Sequence, residues 1–124
     1  MSRGELGRTY RDGDVIARQG VRGESMYVVQ SGLVEVLVER PRGDLKLSTL
    51  GQGDVFGEMS LFTGEPRSAT VRALGEARVL TVDRRGFLRR VHEDPSLAFL
   101  VLQKLSERVA QLDAEVVRLR SEAE

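Results

Sequence analysis

Between Gly53 and Val71 the chain reads Gly-Asp-Val-Phe-Gly-Glu-Met-Ser-Leu-Phe-Thr-Gly-Glu-Pro-Arg-Ser-Ala-Thr-Val. Two clusters in this stretch have the chemistry of anion recognition. In Gly57-Glu58-Met59-Ser60 a glycine opens a turn of helix. Lacking a Cβ, it lets a ligand approach the backbone closely. The first amides of a helix have no internal partners and point outward, which suits a phosphate; Met59 and Ser60 supply such amides. The second cluster is Arg67-Ser68, just after Pro66. A planar, permanently charged guanidinium matches the oxygens of a phosphate diester, and the neighbouring hydroxyl adds a donor. Glu58 has the wrong sign for that anion, so its carboxylate needs another target, such as a sugar hydroxyl. Amides, arginine and serine for a phosphate, with a carboxylate for ribose, describe a nucleotide monophosphate. Taken singly, each residue has a plainer reading. Arg67 is a surface arginine or an ion-pair partner of Glu58, Glu58 is a helix-start carboxylate favoured by the dipole, and Ser68 and Thr70 are strand residues.

The elements that must hold this stretch are short strands. Leu6 to Arg11 and Asp14 to Arg18 read as the first two, split by Asp12-Gly13. A loop follows, Gly20-Val21-Arg22-Gly23-Glu24, with two turn glycines. Ser25 to Gln30 is rich in β-forming residues. After Ser31-Gly32, the segment Leu33 to Glu39 places Val34, Val36 and Val38 on one face. Pro41-Arg42-Gly43-Asp44 is a hairpin turn, and Leu45 to Leu50 returns from it. Ala69 to Ala73 and Arg78 to Val82 complete the set, with Leu74-Gly75-Glu76 between them. Regular turns between short strands predict a mainly β fold, an antiparallel sandwich or jelly roll. A short helix is expected from Phe87 to His92, led by Asp83-Arg84-Arg85-Gly86. A long one comes after Asp94-Pro95, with Asp94 as its cap and Pro95 at its first position. The expected division is therefore a 1–94 jelly-roll domain and a 95–124 helix.

That helix carries a heptad. Leu102, Val109 and Val116 fall at a, and Leu105, Leu112 and Leu119 at d, so every seam position is apolar. Valine at a with leucine at d favours two parallel strands. Across such a dimer Arg108 would face Asp113, and Glu115 would face Arg120. Exposed pairs of this kind contribute only ~0.5 kcal/mol each and choose orientation more than they stabilise. The plainer reading is one stripe covering the chain's own sheet. Continuation of the stripe to Leu119 favours a homodimer through this helix.

Phe56-Gly57-Glu58 followed by Pro66-Arg67-Ser68-Ala69-Thr70-Val71 resembles the phosphate-binding cassette of the cyclic-nucleotide-binding domain family. That family includes catabolite-activator-type bacterial regulators and kinase regulatory subunits. Gly13-Asp14-Val15-Ile16, Gly20, Met26-Tyr27-Val28-Val29 and Gly32-Leu33-Val34-Glu35-Val36 are similar to it as well, so the resemblance spans most of the chain. It implies an antiparallel β jelly roll (a double-stranded β-helix) with a C-terminal dimerisation helix. It implies a cyclic-nucleotide site formed by Phe56, Gly57, Glu58, Met59, Ser60, Arg67, Ser68 and Ala69, with Glu58 accepting the ribose 2′-hydroxyl proton. In the family, polar residues on the long helix, one from each subunit, grip the adenine. Leu112 and Asp113 stand at those positions here, and leucine cannot hydrogen-bond a base. Relatives that prefer cyclic GMP often carry threonine at Ser68 or its neighbour. Serine then alanine leans to cyclic AMP, with cyclic GMP or a cyclic dinucleotide as other ligands.

Bulk properties narrow the function class. The 124 residues fit one domain with its own core. A formal net charge of +0 gives no global field toward nucleic acid or an anionic membrane. No apolar run has membrane-spanning length and the N-terminus has no signal core, so the expected setting is cytoplasmic. Cysteine is absent and histidine occurs once, at His92, which argues against a cupin-type metal enzyme. No nucleophile–base set stands out either, so no enzyme activity is expected. Arg84, Arg85, Arg89 and Arg90 form a basic patch of the kind usually found on a solvated face. With no helix-turn-helix after the long helix, direct DNA binding is not expected. The leading expectation is a sensor that signals through its C-terminal helix to a separate, unidentified protein partner. The competing one is a dimeric interaction module with the same fold and an unused or altered pocket.

Overall fold

The computed structural model describes residues 7–124. They divide into two compact units, one ending at Phe87 and one running from Leu88 to Glu124. Leu6, the expected start of the first strand, and the first six residues of the expected 1–94 domain lie outside the described residues.

The first unit is built from β1 (Arg8–Tyr10), β2 (Val15–Ala17), β3 (Ser25–Val38), β4 (Leu45–Leu50), β5 (Val55–Phe56), a helical turn α1 (Glu58–Thr63) and β6 (Thr70–Asp83). The pairing is antiparallel, in the order β1-β6-β3-β4, with β2 also on β6 and β5 also on β3. This is the antiparallel β fold that the strand pattern predicts. One detail differs. The strands expected separately at 25–30 and 33–39 are a single β3, and those expected at 69–73 and 78–82 are a single β6. The two pair with each other from Ser25↔Asp83 to Leu37↔Thr70. Ser31-Gly32 therefore makes a register shift inside a continuous ladder. A bulge bends a strand without ending it, and local turn signals cannot distinguish the two outcomes.

The valine alternation holds in part. Val34 is fully buried and Val36 packs against the core cluster of Tyr10, Val29, Phe56, Ala73 and Val79. Leu37, between Val36 and Val38, is buried as well. Each such side chain removed from water contributes about 1.5–3 kcal/mol. The turn after β3 is closed by the Gly43 amide donating to the Arg40 carbonyl at 3.0 Å, with Val38 opposite Leu45. One ion pair has a nearly buried carboxylate. Arg72, opposite Glu35 in the ladder, donates to Glu35 Oε1 from Nε at 2.6 Å and from Nη2 at 2.5 Å.

Helix α2 (Arg84–Glu93) crosses from the first unit into the second, and α3 (Ser96–Ala123) forms most of the latter. Helix α2 begins three residues before the expected Phe87. The Asp83 carboxylate accepts from the Gly86 amide at 2.7 Å, an N-terminal cap that draws Arg84, Arg85 and Gly86 into the first turn. At the start of α3 the Asp94 carboxylate accepts from the Ser96 amide at 3.0 Å. That hydrogen bond holds the Asp94 carboxyl below its ordinary pKa. Pro95 already has helical angles, φ −69° and ψ −3°. Further along, Glu115, the expected partner of Arg120 across a dimer, bonds within its own helix to Arg118. This lowers the Glu115 pKa and raises that of Arg118, which also meets Glu122 at 2.8 Å.

Candidate anion-binding site

The cassette is an excursion of the chain between β5 and β6. Strand β5 pairs with β3 so that Phe56 lies opposite Tyr27. Their rings stack with centroids 4.9 Å apart and planes 17° from parallel. Gly57 comes next, at φ 77°, and starts α1. This is left-handed backbone, which costs any other L-residue about 1–2 kcal/mol. The chain returns through Gly64-Glu65-Pro66, and the Ser60 hydroxyl donates to the Glu65 carbonyl at 3.1 Å, tying the two limbs together.

Arg67 lies at the centre of this arrangement and is buried. Its guanidinium carbon stands 5.1 Å from the centroid of the Tyr27 ring, and Nη2 donates to the Ser25 carbonyl at 3.0 Å. Two glycines flank it. A Cβ on Gly57 would lie 2.6 Å from Nη1, and one on Gly23 would lie 2.9 Å from Cζ and Nε. Any side chain at either position would displace the guanidinium. The backbone of Arg67 is held equally firmly. Its carbonyl accepts from the Gly20 amide at 2.8 Å, and its amide donates to the Val21 carbonyl at 3.1 Å.

Nη1 is buried and has no hydrogen-bond partner among the described residues. Buried polar groups are almost always paired, and an unsatisfied buried charge is costlier still. The group is thus a fixed, charged donor suited to an anionic acceptor brought from outside the chain. Gly57 borders Nη1 directly, its missing side chain leaving the guanidinium room. Such a donor can hold a phosphate by a charge-assisted hydrogen bond.

The remaining expected site residues differ in their surroundings. Phe56 is buried and supports Tyr27 from the core side. Glu58 and Ser60 are buried, with the Ser60 hydroxyl bonded to the Glu65 carbonyl and the Ser60 carbonyl accepting from the Gly64 amide at 2.9 Å. Met59 and Ser68 are exposed and Ala69 is half-buried. Leu112 and Asp113 are exposed on α3, in the other unit. Sequence reasoning missed Tyr27 and Gly23. Tyr27 reads locally as a strand former and Gly23 as a turn glycine. Gly23 lacks the positive φ of Gly20, so it serves here by leaving room, and nothing local to residue 23 signals a side chain arriving from residue 67.

Residues 7–94 match the family described as the cyclic nucleotide-binding domain. The chain is 39% identical over 84 residues to the cAMP-dependent protein kinase regulatory subunit of Dictyostelium discoideum, covering 64% of this chain and 26% of that protein. It is 34% identical over 108 residues to the cGMP-dependent protein kinase of Plasmodium berghei (strain Anka), covering 86% of this chain and 11% of that one. Among solved structures, the Thermus thermophilus catabolite activator protein superposes with a TM-score of 0.81 at 33% identity, over 90% of this chain and 53% of that chain. The chain thus spans about half or less of the length of each of these proteins.

Proposed function

The chain belongs to the cyclic nucleotide-binding domain family, and on that premise we propose that it binds a cyclic mononucleotide, with cyclic AMP the expected ligand, and acts as a regulatory module. The observation that carries this reading is the buried, unsatisfied Nη1 of Arg67, held beside Gly57. A cyclic phosphodiester brings the singly charged, two-oxygen acceptor that this donor lacks. In this reading the Met59 and Ser60 amides and the Ser68 hydroxyl share the phosphate, Ala69 lines the site, and the Glu58 carboxylate takes the ribose 2′-hydroxyl. Cyclic AMP is preferred over cyclic GMP on Ser68-Ala69 and on the kinase regulatory subunit among the relatives. The cGMP-dependent kinase keeps cyclic GMP as the alternative.

The reading includes a homodimer through α3. Leu102, Val109, Leu112, Val116 and Leu119 are each between 46% and 63% exposed, and Leu105 is half-buried. So long an exposed apolar row on one helix supports the reading that a second copy covers it. Ligand would then shift the helix arrangement by its differential affinity for two states, and an unidentified protein would read the change. Direct DNA contact forms no part of the proposal, nor does a membrane; among the described residues no helix is long and apolar enough to cross one. Isothermal calorimetry with cyclic AMP and cyclic GMP tests the proposal. Micromolar binding of either, worth roughly 8 kcal/mol, is the expected result. Absence of heat and of any thermal shift at millimolar concentrations of both would overturn it.

A further inference from the structure

The segment 18–23 is the template against which Arg67 is set, and one buried hydroxyl fastens it. Thr70, the first residue of β6, is 1% exposed. Its Oγ1 accepts from the Gln19 amide at 3.0 Å and donates to Glu39 Oε2 at 3.1 Å. Gln19 and Glu39 close the cluster reciprocally. Gln19 Oε1 accepts from the Glu39 amide at 2.7 Å, and Gln19 Nε2 donates to the Glu39 carbonyl at 3.2 Å. Arg18 adds an exposed ion pair to Glu39 at 3.0 Å. The hydroxyl thus joins three points far apart in sequence: the end of β2, the end of β3 and the start of β6.

The cluster matters through its neighbours in the chain. Directly after Gln19, the Gly20 amide and the Val21 carbonyl take both backbone groups of Arg67. Arg22 then bridges to Pro66, and Gly23 stands against the guanidinium. A shift of Gln19 would carry Gly20, Val21 and Gly23 with it and loosen Arg67 on its backbone and side-chain sides together. Placement of a charged donor to within a fraction of an ångström governs what it contributes to binding.

We propose that Thr70, with Gln19 and Glu39, is a positioning cluster that locks the 18–23 loop onto Arg67 and thereby sets affinity for the phosphate. Thr70 touches no ligand in this scheme. The inference rests on the reading of Arg67 as the phosphate contact.

Thr70→Val keeps the shape and the β-branch while removing the hydroxyl. Amide hydrogen exchange followed by NMR on the ligand-free full chain is the first measurement. The amides to watch are Gly20 and Arg67, neither of which bonds to Thr70. They should exchange about tenfold faster in the variant, as local opening becomes easier. The Val29 and Gly53 amides, bonded elsewhere in the sheet, should keep their rates. Cyclic AMP affinity should fall by about tenfold, and Thr70→Ser should restore most of both effects. Gln19→Ala, which cuts the cluster from the partly exposed side, should act in the same direction and serves if Thr70→Val does not fold. Unchanged exchange at Gly20 and Arg67, or equal acceleration at Val29 and Gly53, would overturn the proposal. So would faster exchange with undiminished affinity, or a serine variant that restores neither. If the wild type binds neither cyclic AMP nor cyclic GMP, the functional reading fails, while exchange at Gly20 and Arg67 still decides whether the lock exists.

Discussion

The guanidinium carbon of Arg67 lies 5.1 Å over the centroid of the Tyr27 ring, joining the cassette to the middle strand of the sheet. A cation over an aromatic face gains electrostatic attraction. Because Nη2 is already bonded to the Ser25 carbonyl, Nη1 is the donor left for ligand. Arg67→Ala should therefore cost ~1.5–3 kcal/mol of cyclic-nucleotide binding, the range for a charge-assisted hydrogen bond. Arg67→Lys should recover little, since an ammonium lacks the planar fork. Calorimetric titration checks both. An alanine variant with wild-type affinity would remove Arg67 from the phosphate assignment.

The two glycines beside the guanidinium separate crowding from backbone strain. Gly57 has φ 77°, so Gly57→Ala should lose ~1–2 kcal/mol of stability from the left-handed backbone and also push Nη1 aside. Gly23 is not in that region, yet a Cβ there would press on Cζ and Nε of Arg67. Gly23→Ala should therefore weaken binding by an amount approaching that of Arg67→Ala, with a smaller change in unfolding free energy than Gly57→Ala. Urea unfolding alongside ligand titration measures both quantities. Equal affinity for Gly23→Ala and the wild type would show that the guanidinium has room to spare.

These positions also show what was legible in the residue order. Gly57 and Arg67, which the structure brings together, could be picked out because their chemistry is local: a glycine opening a helical turn and a fixed cation just after a proline. The antiparallel β class was legible from short apolar alternations and turns. Tyr27, Gly23 and Thr70 were not. Each matters through a partner tens of residues away, and a β-former, a loop glycine and a strand threonine look ordinary by themselves. The merging of strands into β3 and β6 was hidden for a related reason. Ser31-Gly32 is a turn or a bulge according to what pairs beside it, and that pairing is long-range.

The Glu35–Arg72 pair predicts an asymmetric response. The Glu35 side chain is 11% exposed and that of Arg72 is 39% exposed. Removing Arg72 leaves a nearly buried carboxylate whose nearest remaining cation is Lys46 at 3.7 Å. Removing Glu35 leaves a guanidinium that can turn to water or to Asp44, 3.9 Å away. Arg72→Ala should therefore cost more than Glu35→Ala, with about 2–3 kcal/mol expected for the first and about 1 for the second. Chemical denaturation of the two variants decides the order. Equal losses would mean that Glu35 reaches solvent more readily than its burial implies.

The row of apolar residues on α3 leads to a prediction about assembly. Leu112 is 56% exposed in the single chain and falls in the middle of the seam. In a parallel pair, Leu112→Glu would place two carboxylates against each other in an apolar contact. Burying such a charge unpaired costs several kcal/mol, more than a seam of this length can absorb. The wild type should sediment as a dimer at about 50 µM and the variant as a monomer, because self-association is governed by concentration. Far-UV circular dichroism should keep the β signal in the variant, since the strands lie in the other unit. A wild-type monomer at that concentration would remove the seam. A dimer that survives the substitution would move the interface to another surface, with the exposed Leu45 and Leu47 of β4 the next residues to replace.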